Sequence, residues 1–109
     1  MVLNTELTQP KSNNAPVSVT ILGSTGSVGV NTIDLIARNP ERYTIEALTA
    51  NKNFDLLAKQ AKQVRAKFVA VADESKYLDL KNALSGSGIE IAAGEQSVVN
   101  AAIRPSDRV

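Results

Sequence analysis

The stretch that decides the fold is VSVTILGSTGSVG, residues 17–29. Its first part, Val17–Leu22, is a β-branched run that is typical of a buried strand. Three glycines then follow at every third position: Gly23 lets the backbone turn, Gly26 leaves room for a ligand, and Gly29 lets the next helix pack closely. Because free N–H groups and a partial positive charge mark the start of a helix, this stretch favours the pyrophosphate of a dinucleotide.

The spacing of the glycines excludes two other motifs. A P-loop needs Gly-Lys-Ser/Thr after four residues, whereas Val28 stands five positions beyond Gly23 and no lysine follows it. A nucleophile elbow needs a glycine two positions before its serine, where this chain has Leu22 or Thr25. A glycine turn without a ligand and a site for another phosphate stay open. The hydroxyls expected to add donors at the rim of the loop are those of Ser24, Thr25 and Ser27.

Beyond the loop, apolar strands alternate with helices. The first helix, Ser27–Arg38, is expected to bury Val28, Leu35 and Ile36, and Asn39-Pro40 ends it. The later elements are strands at Tyr43–Ala50, Lys67–Ala72 and Ile89–Ala92, a helix from its N-cap Asn53 to Val64, and helices at Asp73–Leu84 and Glu95–Ile103. The alternation predicts an α/β fold, a Rossmann-like, doubly wound and mostly parallel sheet with helices on both faces.

Composition limits the chemistry that the chain can perform. It has 109 residues, no His and no Cys, so an imidazole base, a thiolate nucleophile, a disulfide and a Cys- or His-based metal site are excluded. A net charge of +1 gives no electrostatic reason to expect nucleic-acid binding. No apolar run approaches the roughly 18–20 residues of a membrane span.

Residues 1–16 differ in character from the rest. They hold Pro10, Pro16 and few large apolar groups, so we expect a flexible leader that is neither a secretory signal nor an Arg-rich transit peptide. Residues 17–109 are expected to form one domain. Because Val109 fits the first residue of another strand, we expect the chain to be a piece of a longer one.

The end of the second predicted strand decides between NAD and NADP. Proteins that bind NAD commonly place an Asp or Glu there, where it accepts hydrogen bonds from the ribose hydroxyls. This chain has Asn51-Lys52-Asn53 instead, and Glu46 lies earlier, inside the strand. A lysine and two amide side chains favour the 2′-phosphate of NADP. A solvated lysine remains the alternative for Lys52, and Asn53 also fits the cap of the next helix.

These segments resemble one known family. VTILGSTGSVG at 19–29, Asn39-Pro40 and ALTANKN at 47–53 are similar to the amino terminus of 1-deoxy-D-xylulose 5-phosphate reductoisomerases, and the resemblance extends over 17–109. It implies an enzyme that uses NADPH and a divalent metal, Mg²⁺, Mn²⁺ or Co²⁺. The implied reaction converts 1-deoxy-D-xylulose 5-phosphate to 2-C-methyl-D-erythritol 4-phosphate in the non-mevalonate isoprenoid pathway. The resemblance also implies a cytoplasmic homodimer.

The resemblance also implies which residues contact NADPH. Those around the pyrophosphate are Thr25, Gly26, Ser27 and Val28, and those at the adenosine 2′-phosphate end are Asn51, Lys52 and Asn53. Val28 replaces the usual Ile, which changes little because that contact is largely made by backbone. Asn51 stands where Gly is often found in the family, which is a departure from the family pattern at this backbone contact.

The family's metal-binding and substrate-binding residues have no counterpart in these 109 residues. We therefore expect an incomplete cofactor domain with no catalytic residue and no metal ligand, and no turnover by this chain alone. Three alternatives stay open: another NADP-dependent oxidoreductase with a GxxGxxG turn, a non-catalytic nucleotide-binding module, and a fragment that binds nothing measurable. An incomplete sheet exposes an edge, which favours self-association.

Overall fold

The fold is given by a computed structural model that describes residues 15–109. Of the predicted leader, residues 1–14 lie outside the described part. The strands are β1 (Val17–Ile21), β2 (Tyr43–Ala50), β3 (Phe68–Val71) and β4 (Glu90–Ala93). The helices are α1 (Ser27–Ala37), α2 (Phe54–Val64), α3 (Tyr77–Ala83) and α4 (Glu95–Ile103).

The four strands form one parallel sheet in the order β1-β2-β3-β4. Val17 lies opposite Tyr43, and the register shifts by one residue between Val19 and Thr20. The predicted Rossmann-like α/β class is confirmed, and the predicted bounds agree to within one residue for every element except the third helix. Each strand is added on the same side of the strand before it. The three crossover connections between these parallel strands therefore have the same handedness.

Helices cover both faces of this sheet. Because successive residues of a strand point to opposite faces, Leu48 and Val69 join the core under α1, α2 and α3, while Ala47 and Ala70 join a smaller core under α4 with Ala101. Burial on both faces explains why the strands read as continuous apolar runs rather than as alternating ones.

The face that α1 buries differs from the predicted one. Val28 is 78% exposed and Leu35 is 54% exposed, so their predicted burial is wrong. Gly29 and Ile33 are buried together with Ile36, at the i, i+4 and i+7 positions of one stripe. The prediction considered only the large apolar side chains of the helix. Gly29 must face the preceding loop because a Cβ at this position would overlap backbone oxygens of that loop.

The predicted helix Asp73–Leu84 is also shorter than expected. The Asp73 carboxylate accepts hydrogen bonds from the Ser75 N–H at 2.9 Å and the Ser75 hydroxyl at 2.6 Å, and Glu74–Lys76 forms a 3₁₀ turn. A side chain that bonds the backbone two residues ahead stabilises a turn instead of an α-helix, so α3 begins only at Tyr77.

The residues after α4 return the chain to β1, the first strand of the sheet. Arg108 forms a parallel bridge with Val19, on the side of β1 that does not face β2. The Thr20 N–H donates to the Arg108 carbonyl at 2.8 Å, and the Ser18 N–H donates to the Asp107 carboxylate at 2.8 Å. Strand pairing thus continues on the other side of β1, which makes its carboxyl end a switch point of the kind where open α/β sheets bind ligands.

Arg104 connects the end of α4 to three strands. Its Nε donates to Glu46 Oε2 on β2 at 2.8 Å, its guanidinium lies 4.8 Å from the centre of the Phe68 ring on β3, and its Nη1 lies 3.6 Å from Glu90 Oε1 on β4. Desolvation raises the pKa of Glu46, but the hydrogen bond and charge of Arg104, with the charge of Lys67, outweigh it and hold that pKa below its ordinary value.

Replacing Glu46 by Gln should lower the free energy of unfolding at neutral pH by about 1–3 kcal/mol, because a charge-assisted hydrogen bond is lost. The folded-state pKa of Glu46 lies below the unfolded value, so ionised Glu46 stabilises the fold fully above about pH 4.3. This stabilisation is lost as the pH falls through the folded-state pKa. Denaturant unfolding at several pH values should therefore show a gap between the two proteins that narrows in acid.

The matched control is Glu41→Gln, since Glu41 is exposed and belongs to none of the ion pairs described within residues 15–109. Its effect should stay within about 0.5 kcal/mol at every pH. A gap between wild type and Glu46→Gln that stays constant from neutral to acid pH would contradict the role given to the Glu46 charge.

Candidate dinucleotide site

The loop between β1 and α1 is held by the neighbouring strand. Gly23 has a φ of +71°, a left-handed conformation that glycine adopts without strain. The Gly23 N–H donates to the Thr49 hydroxyl at 2.9 Å, and the Ser24 N–H donates to the Thr49 carbonyl at 2.8 Å. The turn that follows β1 is therefore fixed in direction by the end of β2.

Ser24 is fully buried, so its predicted place among the donors at the rim is wrong. Its hydroxyl donates to Gln60 Oε1 at 2.7 Å, and Gln60 Nε2 donates back to the Ser24 carbonyl at 2.9 Å. Gln60 was missed by the sequence reasoning. The sequence does carry a signal for it: Gln60 is a polar residue beside Leu57 and Ala61 on the buried face of α2. A buried polar side chain needs a hydrogen-bond partner, so this position points to a buried contact.

Gly29 allows α1 to lie against the backbone of the loop. A Cβ at this position would be 2.5 Å from the Ser24 carbonyl oxygen and 2.6 Å from the Gly23 carbonyl oxygen. Side-chain carbon atoms do not approach backbone oxygens so closely, so only glycine fits without a shift of the main chain. The predicted close-packing role of Gly29 is thereby confirmed.

The amino terminus of α1 is open to solvent. Gly26 is the N-cap, no side chain caps the helix, and its first turn holds no acid. Gly26, Ser27 and Val28 are exposed, and Thr25 is half-buried. Since the first N–H groups of a helix have no acceptor within it, this end of α1 presents hydrogen-bond donors and a partial positive charge to an anion.

Asn51, Lys52 and Asn53 follow β2 and are all exposed. Asn53 Oδ1 accepts a hydrogen bond from the Leu56 N–H at 3.2 Å, so Asn53 caps α2 as the sequence predicts. None of the ion pairs found within residues 15–109 includes Lys52. Its ammonium group is thus available to a ligand at this end of the strand.

The structure brings the two predicted groups to one edge of the sheet. Ile21 at the end of β1 lies opposite Leu48, two residues before the end of β2, so 25–28 and 51–53 follow neighbouring strand ends. One segment supplies N–H donors and the other supplies a cation. Rossmann-like domains hold the pyrophosphate and the adenosine ribose of a dinucleotide in this arrangement. Fold and site together define the class as a Rossmann-like α/β domain with a candidate dinucleotide site.

Comparison with known proteins identifies the family within this class. The model of the 1-deoxy-D-xylulose 5-phosphate reductoisomerase family matches residues 19–109. The reductoisomerase of Bradyrhizobium diazoefficiens is 55% identical over 92 residues, which are 84% of this chain and 23% of that protein. The chain belongs to the 1-deoxy-D-xylulose 5-phosphate reductoisomerase family, as the resemblance predicts, and it spans about a quarter of the length of the relatives it matches.

Two solved structures of the family share this fold. The 1-deoxy-D-xylulose 5-phosphate reductoisomerase of Zymomonas mobilis in complex with NADPH is 52% identical with a TM-score of 0.82, over 84% of this chain and 24% of that one. A DOX-P reductoisomerase in complex with NADPH, fosmidomycin and magnesium is 28% identical with a TM-score of 0.71, over 79% and 21% of the respective chains. The two complexes thus hold the cofactor, and one of them the metal, that the resemblance implies.

Neither a metal cluster nor a membrane helix is found in the part of the chain that the structure describes. Residues 15–109 contain no group of three His, Cys, Asp or Glu side chains that is placed to hold a metal ion. No helix in the same range has the length and apolar character needed to cross a membrane.

Replacing Gly29 by Ala should destabilise the chain by about 1–3 kcal/mol, because the new methyl group overlaps two backbone oxygens and forces α1 away from the loop. Thermal or denaturant unfolding measures this loss. Gly26→Ala is the control, since its Cβ would lie 3.4 Å from the Gly23 oxygen and its φ is −75°. Equal losses of stability in the two variants would show that the close contact between Gly29 and the loop oxygens does not cause the loss.

Proposed function

We propose that residues 17–109 form the NADPH-binding Rossmann-like domain, in part, at the amino terminus of a 1-deoxy-D-xylulose 5-phosphate reductoisomerase. The observation that carries the proposal is the uncapped start of α1 beside exposed Lys52, at the carboxyl ends of β1 and β2. The NADPH complex of the Zymomonas mobilis relative supports the identity of the ligand.

At the first end of the proposed site, the start of α1 binds the pyrophosphate. The Gly26 N–H already donates to the Gly23 carbonyl at 3.1 Å, so Gly26 serves the ligand through the close approach that its missing side chain allows. The backbone N–H groups of Ser27 and Val28 donate to the pyrophosphate oxygens, and the hydroxyls of Thr25 and Ser27 add donors at the rim. Val28 is 78% exposed and contacts the ligand through its backbone, so a valine serves as well as an isoleucine. The absence of a side-chain cap leaves these N–H groups for the ligand.

At the second end, the segment 51–53 binds the adenosine 2′-phosphate. Lys52 supplies the positive charge, and the Asn51 side chain supplies an amide donor. Because Asn53 Oδ1 already caps α2, only the Asn53 amide nitrogen is left to donate to the phosphate. The cap orients that nitrogen, so the two roles of Asn53 support each other.

For the longer protein we propose the reaction of the family, conversion of 1-deoxy-D-xylulose 5-phosphate to 2-C-methyl-D-erythritol 4-phosphate by a cytoplasmic homodimer. NADPH supplies the hydride, and a divalent metal, Mg²⁺, Mn²⁺ or Co²⁺, is held by residues outside this chain. The residues described above bind and orient the cofactor. Because residues 15–109 hold no cluster of metal ligands and the family's substrate ligands lie elsewhere, the 109-residue chain is inactive by itself.

Replacing Lys52 by Ala should weaken NADPH binding by about tenfold to a hundredfold, because a charge-assisted contact with the phosphate is lost. NADH binding should change by less than about twofold, since NADH carries no 2′-phosphate. Calorimetric titration of the purified chain with each cofactor measures both values.

Lys62→Ala is the matched control for this titration. Lys62 is exposed near the end of α2, away from the start of the helix that follows the site, so its removal should leave both affinities unchanged. An equal loss of NADPH and NADH affinity in Lys52→Ala, or no loss at all, would remove the support for a 2′-phosphate site at Lys52.

Supplying the chain with NADPH, 1-deoxy-D-xylulose 5-phosphate and Mg²⁺ should produce no oxidation of NADPH, because hydride transfer needs a substrate held beside the nicotinamide. The loss of NADPH absorbance measures turnover. The same sequence extended to the length of its relatives is the positive control. Turnover by the 109 residues themselves would overturn the proposal that catalytic groups lie outside this chain.

A further inference from the structure

A second loop borders the segment 51–53. Asp73 follows β3, the strand next to β2, and its N–H donates to the Asn51 carbonyl at 2.9 Å. The preceding bond, from the Ala72 N–H to the Ala50 carbonyl, is also 2.9 Å long. These two bonds extend the pairing of β2 and β3 beyond the sheet, so Asp73 is held at the level of Asn51 and next to Lys52.

The Asp73 carboxylate is fixed in place by its own turn. Its Oδ1 accepts from the Ser75 N–H at 2.9 Å and from the Ser75 hydroxyl at 2.6 Å. These bonds, assisted by the charges of Lys52 and Lys76, hold the pKa of Asp73 below its ordinary value, so the group is ionised at neutral pH. No ion pair within 4 Å joins Asp73 to Lys52 among residues 15–109, so the ammonium group of Lys52 is not neutralised by direct contact.

We infer that Asp73 is a specificity-determining residue that limits the preference of this site for NADPH over NADH, an inference that rests on the proposed function. A 2′-phosphate brings a charge of about −1.5 to −2, whereas NADH has a neutral hydroxyl at that position. A fixed carboxylate beside Lys52 repels the phosphate and leaves the hydroxyl unaffected. NAD-binding domains carry their carboxylate at the end of the second strand; this chain carries one at the end of the third.

The test is Asp73→Asn, because the Asn side-chain oxygen can accept the same two bonds from Ser75 while the charge is removed. NADPH should bind about threefold to tenfold more tightly than to wild type, and NADH affinity should change by less than about twofold. The gain for NADPH should shrink as salt is added, because screening weakens the repulsion between charges near the surface. A merely structural role of Asp73 would produce no such salt dependence.

Two further variants make the test specific. Asp73→Ser removes the charge with another residue that caps turns, so it should reproduce the gain even where Asp73→Asn folds poorly. Glu41→Gln removes one negative charge at the opposite end of β2, an eight-residue strand that is about 26 Å long at 3.3 Å per residue, and should change neither affinity. Circular dichroism and thermal unfolding verify that each variant is folded.

The outcomes separate this inference from the proposed function. If Lys52→Ala weakens NADPH binding while both Asp73 variants bind it no more tightly than wild type, the inference is overturned and the proposed function stands. An equal gain for NADPH and NADH also overturns it, because the effect is then not specific to the phosphate. If the folded wild-type chain binds neither cofactor, both proposals fail.

Discussion

The absence of a side chain at Gly29 is the constraint on which the rest of the site depends. Two backbone oxygens of the preceding loop occupy the space that a Cβ would fill. This contact fixes the rotation of α1, so that Ile33 and Ile36 face the sheet and Val28 faces outward. It also fixes the open start of the helix at the end of β1. The packing of α1 and the position of the proposed pyrophosphate site therefore depend on the same close contact at Gly29.

The site is assembled by long-range contacts rather than by the glycine-rich loop alone. Thr49 on β2 accepts hydrogen bonds from two residues of the loop, and Gln60 on α2 exchanges two hydrogen bonds with Ser24. Both partners belong to the second βα unit. The loop thus takes its shape only when β1 and β2 are paired and α2 is docked, which is why a glycine spacing has meaning only within a βαβ unit.

The elements could be predicted because each rests on a local signal. The strands are continuous apolar runs, Asn53 caps α2, and Asn39-Pro40 ends α1. The errors arise where a tertiary contact overrides the local pattern: Gly29 rotates α1 away from its apolar stripe, and Gln60 draws the Ser24 hydroxyl inward. The late start of α3 has a local cause, the bonds from Asp73 to Ser75, which the apolar spacing of that segment conceals.

The charge around the segment 51–53 depends on two loops and on where each nearby carboxylate is held. Glu46 lies on β2, the strand that Lys52 follows, yet its carboxylate is bound by Arg104 over the smaller core and is not offered to a ligand. Asp73 follows β3, the next strand of the sheet, and backbone pairing brings it level with Asn51. A motif that examines only the end of β2 therefore finds Lys52 and overlooks Asp73, because the pairing of β2 with β3, and not the sequence, makes these two loops neighbours.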